Sequence, residues 1–183
     1  MSIEYEEIRK LWQSKELPSR WIKNNSIVID LAMRHKMAIA GSFAIGLSTK
    51  NPHKEPGDID FVCESPTEAM EFISALALFL AKKNVHYQIR SNNNNKYMAP
   101  LATNHFRLFC PFWKEICIMV IPKVDFYYWK GLRIQLYKSV RAAMEAIEIK
   151  SPKGRLNLIL DDDPILPELA AQSCQASPDQ IEY

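Results

Sequence analysis

Residues 37–63 constrain the fold of this chain more than any other stretch. The short apolar run Met37-Ala38-Ile39-Ala40 stops at Gly41-Ser42, which reads as a buried strand ending in a glycine turn. Phe43 to Leu47 then has the composition of a short helix. The segment STKNPHKEPG, residues 48–57, has loop composition. Asp58 to Cys63, DIDFVC, reads as a second strand, opened by the turn at Pro56-Gly57.

Three chemical features coincide there. Glycine at the end of a strand lets an anion such as a phosphate approach the backbone. The serine beside it adds a hydroxyl, and unpaired N–H groups at a helix start favour negative charge. Asp58 and Asp60, two apart on a strand, leave the same face. Two crowded carboxylates repel unless a cation lies between them, and all-oxygen ligation suits Mg²⁺ or Mn²⁺.

The flanking chain reads as a mixed layout. Ile3, Ile8, Leu11 and Trp12 fall at rough helical spacing over 3–13. Pro18 is placed to open a helix reaching about His35, with Trp21, Ile22, Ile27, Val28, Leu31 and Ala32 as its apolar face. Ser65 and Pro66 start another helix, carrying Met70, Phe72, Ile73, Leu76, Leu78 and Leu80 as far as Lys82-Lys83-Asn84. His86 to Arg90 is expected as a strand, followed by the solvated turn Ser91 to Asn95. His105–Cys110 and Glu115–Ile121 are expected as a hairpin, and Leu132–Gln135 as a strand leading into a helix from Leu136 to about Ile149. The fold class is therefore α+β, a small mixed sheet of four to six strands with flanking helices. Within one domain, 1–36 is expected as a helical segment packed on a core of 37–150, and 151–183 as a partly ordered tail.

Composition limits the alternatives. A chain of 183 residues suffices for one core and is short for two. A formal net charge of +2 argues against a strongly polyanion-driven binder. No apolar run approaches the ~18 residues of a membrane span, and MSIEYEEIRK is too polar for a secretory signal. Cys63, Cys110, Cys117 and Cys174 include no CxxC pair, and the first three lie in apolar stretches. They are expected as buried thiols in a reducing cytoplasm.

Gly-Ser ending one strand, then a short helix, a variable loop and D-x-D on the next strand resembles the nucleotidyltransferase superfamily. That superfamily includes family X DNA polymerases, antibiotic adenylyltransferases, and poly(A)- and CCA-adding enzymes. The resemblance is good over 37–63, weaker over 105–145 and absent from both ends. It implies that Gly41 and Ser42 hold the triphosphate of an NTP and that Asp58 and Asp60 hold divalent metal, Mg²⁺ or Mn²⁺. The implied reaction moves a nucleoside monophosphate to a hydroxyl acceptor and releases pyrophosphate. The acceptor class stays open: a nucleic acid such as tRNA, a protein or a small molecule. The alternative from another class is a catalytically impaired relative that binds nucleotide or a partner as a regulator.

Active members of that superfamily carry a third acid on a later strand. Here Ile116 to Pro122 resembles that strand, and aligned on Pro122 the acidic position falls on Cys117. Sulfur is a poor ligand for a hard ion. Three readings remain: Glu115, two residues earlier on the same face, supplies the acid; Asp125 supplies it in another register; or it is absent.

Other residues weigh less. Lys138 and Arg141 share a helix face and suit phosphate contact or a solvated edge. His53 and Lys54 fit a surface loop. A zinc site from Cys63, Cys110 and Cys117 is disfavoured by spacing, and His35, His86 and His105 suggest no metal site. Trp113, Tyr127, Tyr128 and Trp129 beside Lys114, Lys123 and Lys130 suit core packing or base stacking. The latter would make the chain a nucleic-acid binder with steeply salt-dependent affinity.

Overall fold

The computed structural model describes residues 19–48, 58–92, 102–129, 132–150 and 152. The expected helix over 3–13, His53 and Lys54, Asn93 to Asn95, Lys130, Cys174 and the expected tail apart from Pro152 lie outside the described residues. Among the described residues the order is α1 (Ser19–Arg34), β1 (Ala38–Ile39), α2 (Gly41–Ser48), β2 (Ile59–Cys63), α3 (Pro66–Lys82), β3 (Gln88–Asn92), β4 (Asn104–Phe109), β5 (Ile116–Val120), β6 (Phe126–Trp129), β7 (Leu132–Gln135) and α4 (Tyr137–Lys150). The fold is α+β, with a seven-stranded mixed sheet in the order β3-β4-β5-β2-β1-β7-β6.

Local chemistry sets the helix ends. α1 ends in a left-handed residue, Lys36 (φ 57°), with Met37 N–H donating to the Ala32 carbonyl at 3.0 Å. α3 ends in the same way at Asn84 (φ 55°), with Val85 N–H reaching the Leu80 carbonyl at 2.9 Å. In both, a six-residue backbone bond satisfies a carbonyl that the helix leaves over. At the start of α3 the Ser65 hydroxyl accepts from Glu68 N–H at 3.1 Å, and Pro66 takes the first turn, where it costs no hydrogen bond.

The large core lies on one face of the sheet. Ile39, Phe61, Ile118 and Phe106 are register partners across β1, β2, β5 and β4, so their side chains share that face. Val28 and Ile29 of α1, Phe43 of α2, Phe72, Ile73 and Leu76 of α3 and Val140 of α4 pack with them. Phe61 and Phe72 meet edge-on at 5.2 Å. All four helices among the described residues thus contribute to this core. The opposite face carries a smaller apolar cluster, Ala38, Ala40, Val62 and Val124.

Three expectations need correcting. The sheet has seven strands, because Phe126–Trp129 pairs with β7 although its aromatic run shows no alternation. The strand expected at 86–90 lies at Gln88–Asn92, where pairing with β4 extends it into the asparagine stretch. Met70 and Leu78 stand exposed on the outer side of α3, at 47% and 56%.

Candidate functional site

β1 and β2 run antiparallel, with Ala38 opposite Val62 and Ile39 opposite Phe61. The Ala40 N–H donates to the Asp60 carbonyl at 2.9 Å, so the chain leaves β1 beside Asp60. Gly41 then takes φ +59° to enter α2. A β-carbon on Gly41 would lie 2.1 Å from Asp60 Oδ2, so only glycine fits against this carboxylate. Ala44 N–H makes the first helical bond to Ala40. The N–H groups of Gly41 and Ser42 therefore have no acceptor within the helix.

β5 lies parallel to β2, with Asp60 opposite Cys117 and Ile59 opposite Ile116. The Ile59 N–H donates to the Glu115 carbonyl at 2.8 Å, which sets Asp58 beside Glu115. One oxygen each from Asp58 and Asp60 and the Cys117 sulfur lie within 4.8 Å of one another, beside the Gly41 turn. The Cys117 thiol is 3.3 Å from Glu115 Oε1 and 3.9 Å from Asp58 Oδ2. Glu115 also accepts from Nε of Arg107, which stands opposite Cys117 on β4.

The electrostatics follow from this crowding. Asp60 is held well above the usual carboxylate range, first by burial and then by the charges of Asp58 and Glu115. Asp58 is raised too, by burial and Glu115, with Arg107 and the Cys117 thiol opposing. For Glu115 burial acts upward, but the bonds from Arg107 and Cys117 and the Arg107 charge outweigh it, leaving its pKa lowered. Burial and the three carboxylates push the Cys117 thiol far up, so it stays neutral. His105, on the same sheet face, is lowered by burial and by Arg107.

The sequence candidates among the described residues now have a place. Gly41, Asp58, Asp60 and Cys117 come together, with Ser42 following Gly41 on α2 and Glu115 at the rim. Asp125 does not join them. It follows the far end of β5, where Val124 N–H is held by Glu64 at 3.0 Å. From Asp60 to Glu64 is roughly 13 Å along the strand. Asp125 itself pairs with Lys123 at 3.6 Å in the exposed connection to β6. Cys63 leaves the opposite face from Cys117 and sits in the large core, and Cys110 packs against that core. Arg141 pairs with Glu145 at 3.0 Å and Lys138 is exposed on α4. Trp113 stacks on Phe79 at 5.8 Å and Tyr127 is buried, so both serve the core. Tyr128 and Phe126 instead flank the Arg133 guanidinium, at 5.6 and 4.7 Å from their ring centres.

Sequence reasoning missed Arg107, and it weighed His105 only as a metal ligand. Their alternation within the apolar strand NHFRLF put them on one face. Pairing Arg107 with Cys117 needs the register of the hairpin, which spacing alone leaves free.

Two oxygen-donor carboxylates at a glycine turn fit a hard divalent ion, which keeps several waters and needs few protein ligands. The soft Cys117 sulfur does not fit it and counts as a neighbour.

No family model and no curated protein sequence matches this chain. Two solved structures are similar in part. The Megavirus polyadenylate synthase is 13% identical, with TM-score 0.48 over 81% of this chain and 37% of its own. The Helicobacter pylori protein JHP933 is 13% identical, with TM-score 0.38 over 66% of this chain and 53% of its own. The chain spans less than two thirds of the length of either.

Proposed function

We propose that this chain is a metal-dependent nucleotidyltransferase, moving a nucleoside monophosphate from an NTP to a hydroxyl acceptor. The observation that carries the reading is the convergence of Asp58 and Asp60 against the Gly41 turn. In this reading Asp58 and Asp60 hold Mg²⁺ or Mn²⁺. The first-turn N–H groups at Gly41 and Ser42, with the Ser42 hydroxyl, receive the triphosphate. Bound metal would neutralise charge on the attacking and leaving oxygens. The acceptor oxygen forms a bond to the α-phosphorus as the bond to the bridging oxygen breaks, and pyrophosphate carries away the electron pair. The hydroxyl proton passes to a carboxylate on this face. The acceptor is a nucleic acid such as tRNA, a protein or a small molecule. A cytoplasmic setting suits Cys63, Cys110 and Cys117, which are all free thiols.

One observation favours a second reading, an impaired relative that binds nucleotide or a partner as a regulator. Cys117 stands opposite Asp60, where the resemblance implies an acid, and Glu115 is engaged by Arg107. The test is incubation with each labelled NTP, Mg²⁺ or Mn²⁺ and a cell extract. Label transferred by the wild type, and lost in Asp58→Ala/Asp60→Ala, supports the enzyme and reveals its acceptor. Silence from the wild type with activity only in Cys117→Asp supports the regulator.

A further inference from the structure

We infer that Glu115 is a masked third carboxylate, held on Arg107 in this structure and drawn across to Asp58 when a divalent ion binds. The inference rests on the metal reading of Asp58 and Asp60 and adds a ligand to it.

Glu115 and Cys117 leave one face of β5, two residues apart. The parallel register sets Cys117 against Asp60, and the Ile59–Glu115 backbone bond sets Glu115 against Asp58 in the same way. Neighbouring strands lie about 4.8 Å apart, so Glu115 starts as close to Asp58 as Cys117 does to Asp60. Its side chain is one methylene longer than that of aspartate and is 23% exposed at the rim, so it has room to turn. What holds it back is Arg107, whose guanidinium also lies over the Phe109 ring at 5.0 Å and is thereby fixed in place.

The arrangement makes electrostatic sense in both states. Without a cation, three carboxylates on one small face repel, and the nearest positive charge takes the one with the longest reach. With a cation at Asp58 and Asp60, the attraction on Glu115 reverses, and it exchanges one positive partner for another. Cys117 keeps its thiol bond to Glu115 in the parked state and supplies no charge of its own.

The experiment is a double-mutant cycle read by direct Mn²⁺ binding, measured by electron paramagnetic resonance or calorimetry on the full chain. Arg107→Met keeps a long apolar side chain on Phe109 and removes the mask; Glu115→Gln keeps the shape and removes the charge. Glu115→Gln alone weakens Mn²⁺ about tenfold. Arg107→Met tightens Mn²⁺ about tenfold with Glu115 present, and by less than about threefold in the Glu115→Gln background. Equal tightening in both backgrounds overturns the inference, because Arg107 then acts only by repelling the ion. Asp58→Ala/Asp60→Ala separates the two layers of the argument. If it leaves Mn²⁺ binding unchanged, the metal site itself fails; if it abolishes binding while the cycle shows no coupling, only the role of Glu115 fails. Circular dichroism on each variant excludes unfolding as the cause.

Discussion

Gly41 and Asp60 are in such close contact that a β-carbon on Gly41 would sit 2.1 Å from Oδ2 of Asp60. The same glycine has φ +59°, a region that side chains disfavour. Gly41→Ala therefore strains the backbone and displaces the carboxylate together. The left-handed conformation alone costs about 1–2 kcal/mol. Each kcal/mol lowers Tm by roughly 2–4 °C in a chain of this size. Thermal unfolding with and without Mn²⁺ is the check: Gly41→Ala lowers Tm and also removes any metal-induced rise.

Asp60→Asn acts in the opposite direction on the metal-free protein. The carboxylate pKa is raised on folding, so above the unfolded value of about 3.9 the folded state holds the proton more tightly. Stability from this group is full below that value and falls as pH rises through the folded pKa. At neutral pH burial of Asp60 is thus a cost relative to the unfolded chain, which Asp60→Asn removes. With EDTA present the variant melts above the wild type at pH 7, and the gap closes as pH falls toward about 4. Adding Mg²⁺ narrows or reverses the gap, because only the wild type gains a ligand-linked term.

Cys117→Asp adds a fourth carboxylate to this face, directly beside Asp60. The metal-free variant loses stability at pH 7, since like charges at one buried site cannot all ionise freely. Its Mg²⁺-induced rise in Tm exceeds that of the wild type. NTP transfer by the variant rises at least about tenfold, a change of about 1.4 kcal/mol in the barrier. Unchanged metal response in this variant would show that Cys117 is not positioned at a cation site.

Alkaline stability tests the other buried thiol. Burial pushes Cys63 up to about 11, with its Sγ 3.4 Å from the Ser65 carbonyl. Its contribution holds below the unfolded pKa, near 9, and is lost as pH rises to about 11. The full shift corresponds to at most about 2–3 kcal/mol. Urea midpoints at a series of pH values from 8 to 11 fall more steeply for the wild type than for Cys63→Ala, whatever the offset from the cavity.

The cap of α3 gives a test of the fold apart from the site. Ser65→Ala leaves the Glu68 N–H without its acceptor and costs about 1 kcal/mol in urea unfolding. Mn²⁺ binding is unchanged in this variant, because Ser65 follows the opposite end of β2 from Asp58.

Much of this arrangement was legible residue by residue. Val28, Leu31 and Ala32 marked α1, Ser65-Pro66 marked α3, and Gly41 marked the end of β1. The spacing of Asp58 and Asp60 fixed their common face, because side chains alternate along any strand. These signals are local, and each is carried by a few bonds of backbone geometry or a single capping group. The aromatic run Phe126–Trp129 shows why other signals fail. It lacks alternation, and its strand exists through backbone pairing with β7.

The composition of the site beyond the two aspartates depended on pairing between distant segments. Glu115, two residues before Cys117 on its face, and Asp125, in another register, were both open candidates. The parallel register of β2 with β5 then put Glu115 at the aspartates, and the Glu64–Val124 bond held Asp125 at the far end. Arg107 became a partner of Glu115 only through the antiparallel register of β4 with β5. A chain determines which face a side chain leaves through its own torsions. Which residues then meet across strands is set by packing the whole sheet against its helices, since a slip of one residue would turn every apolar side chain out of the core.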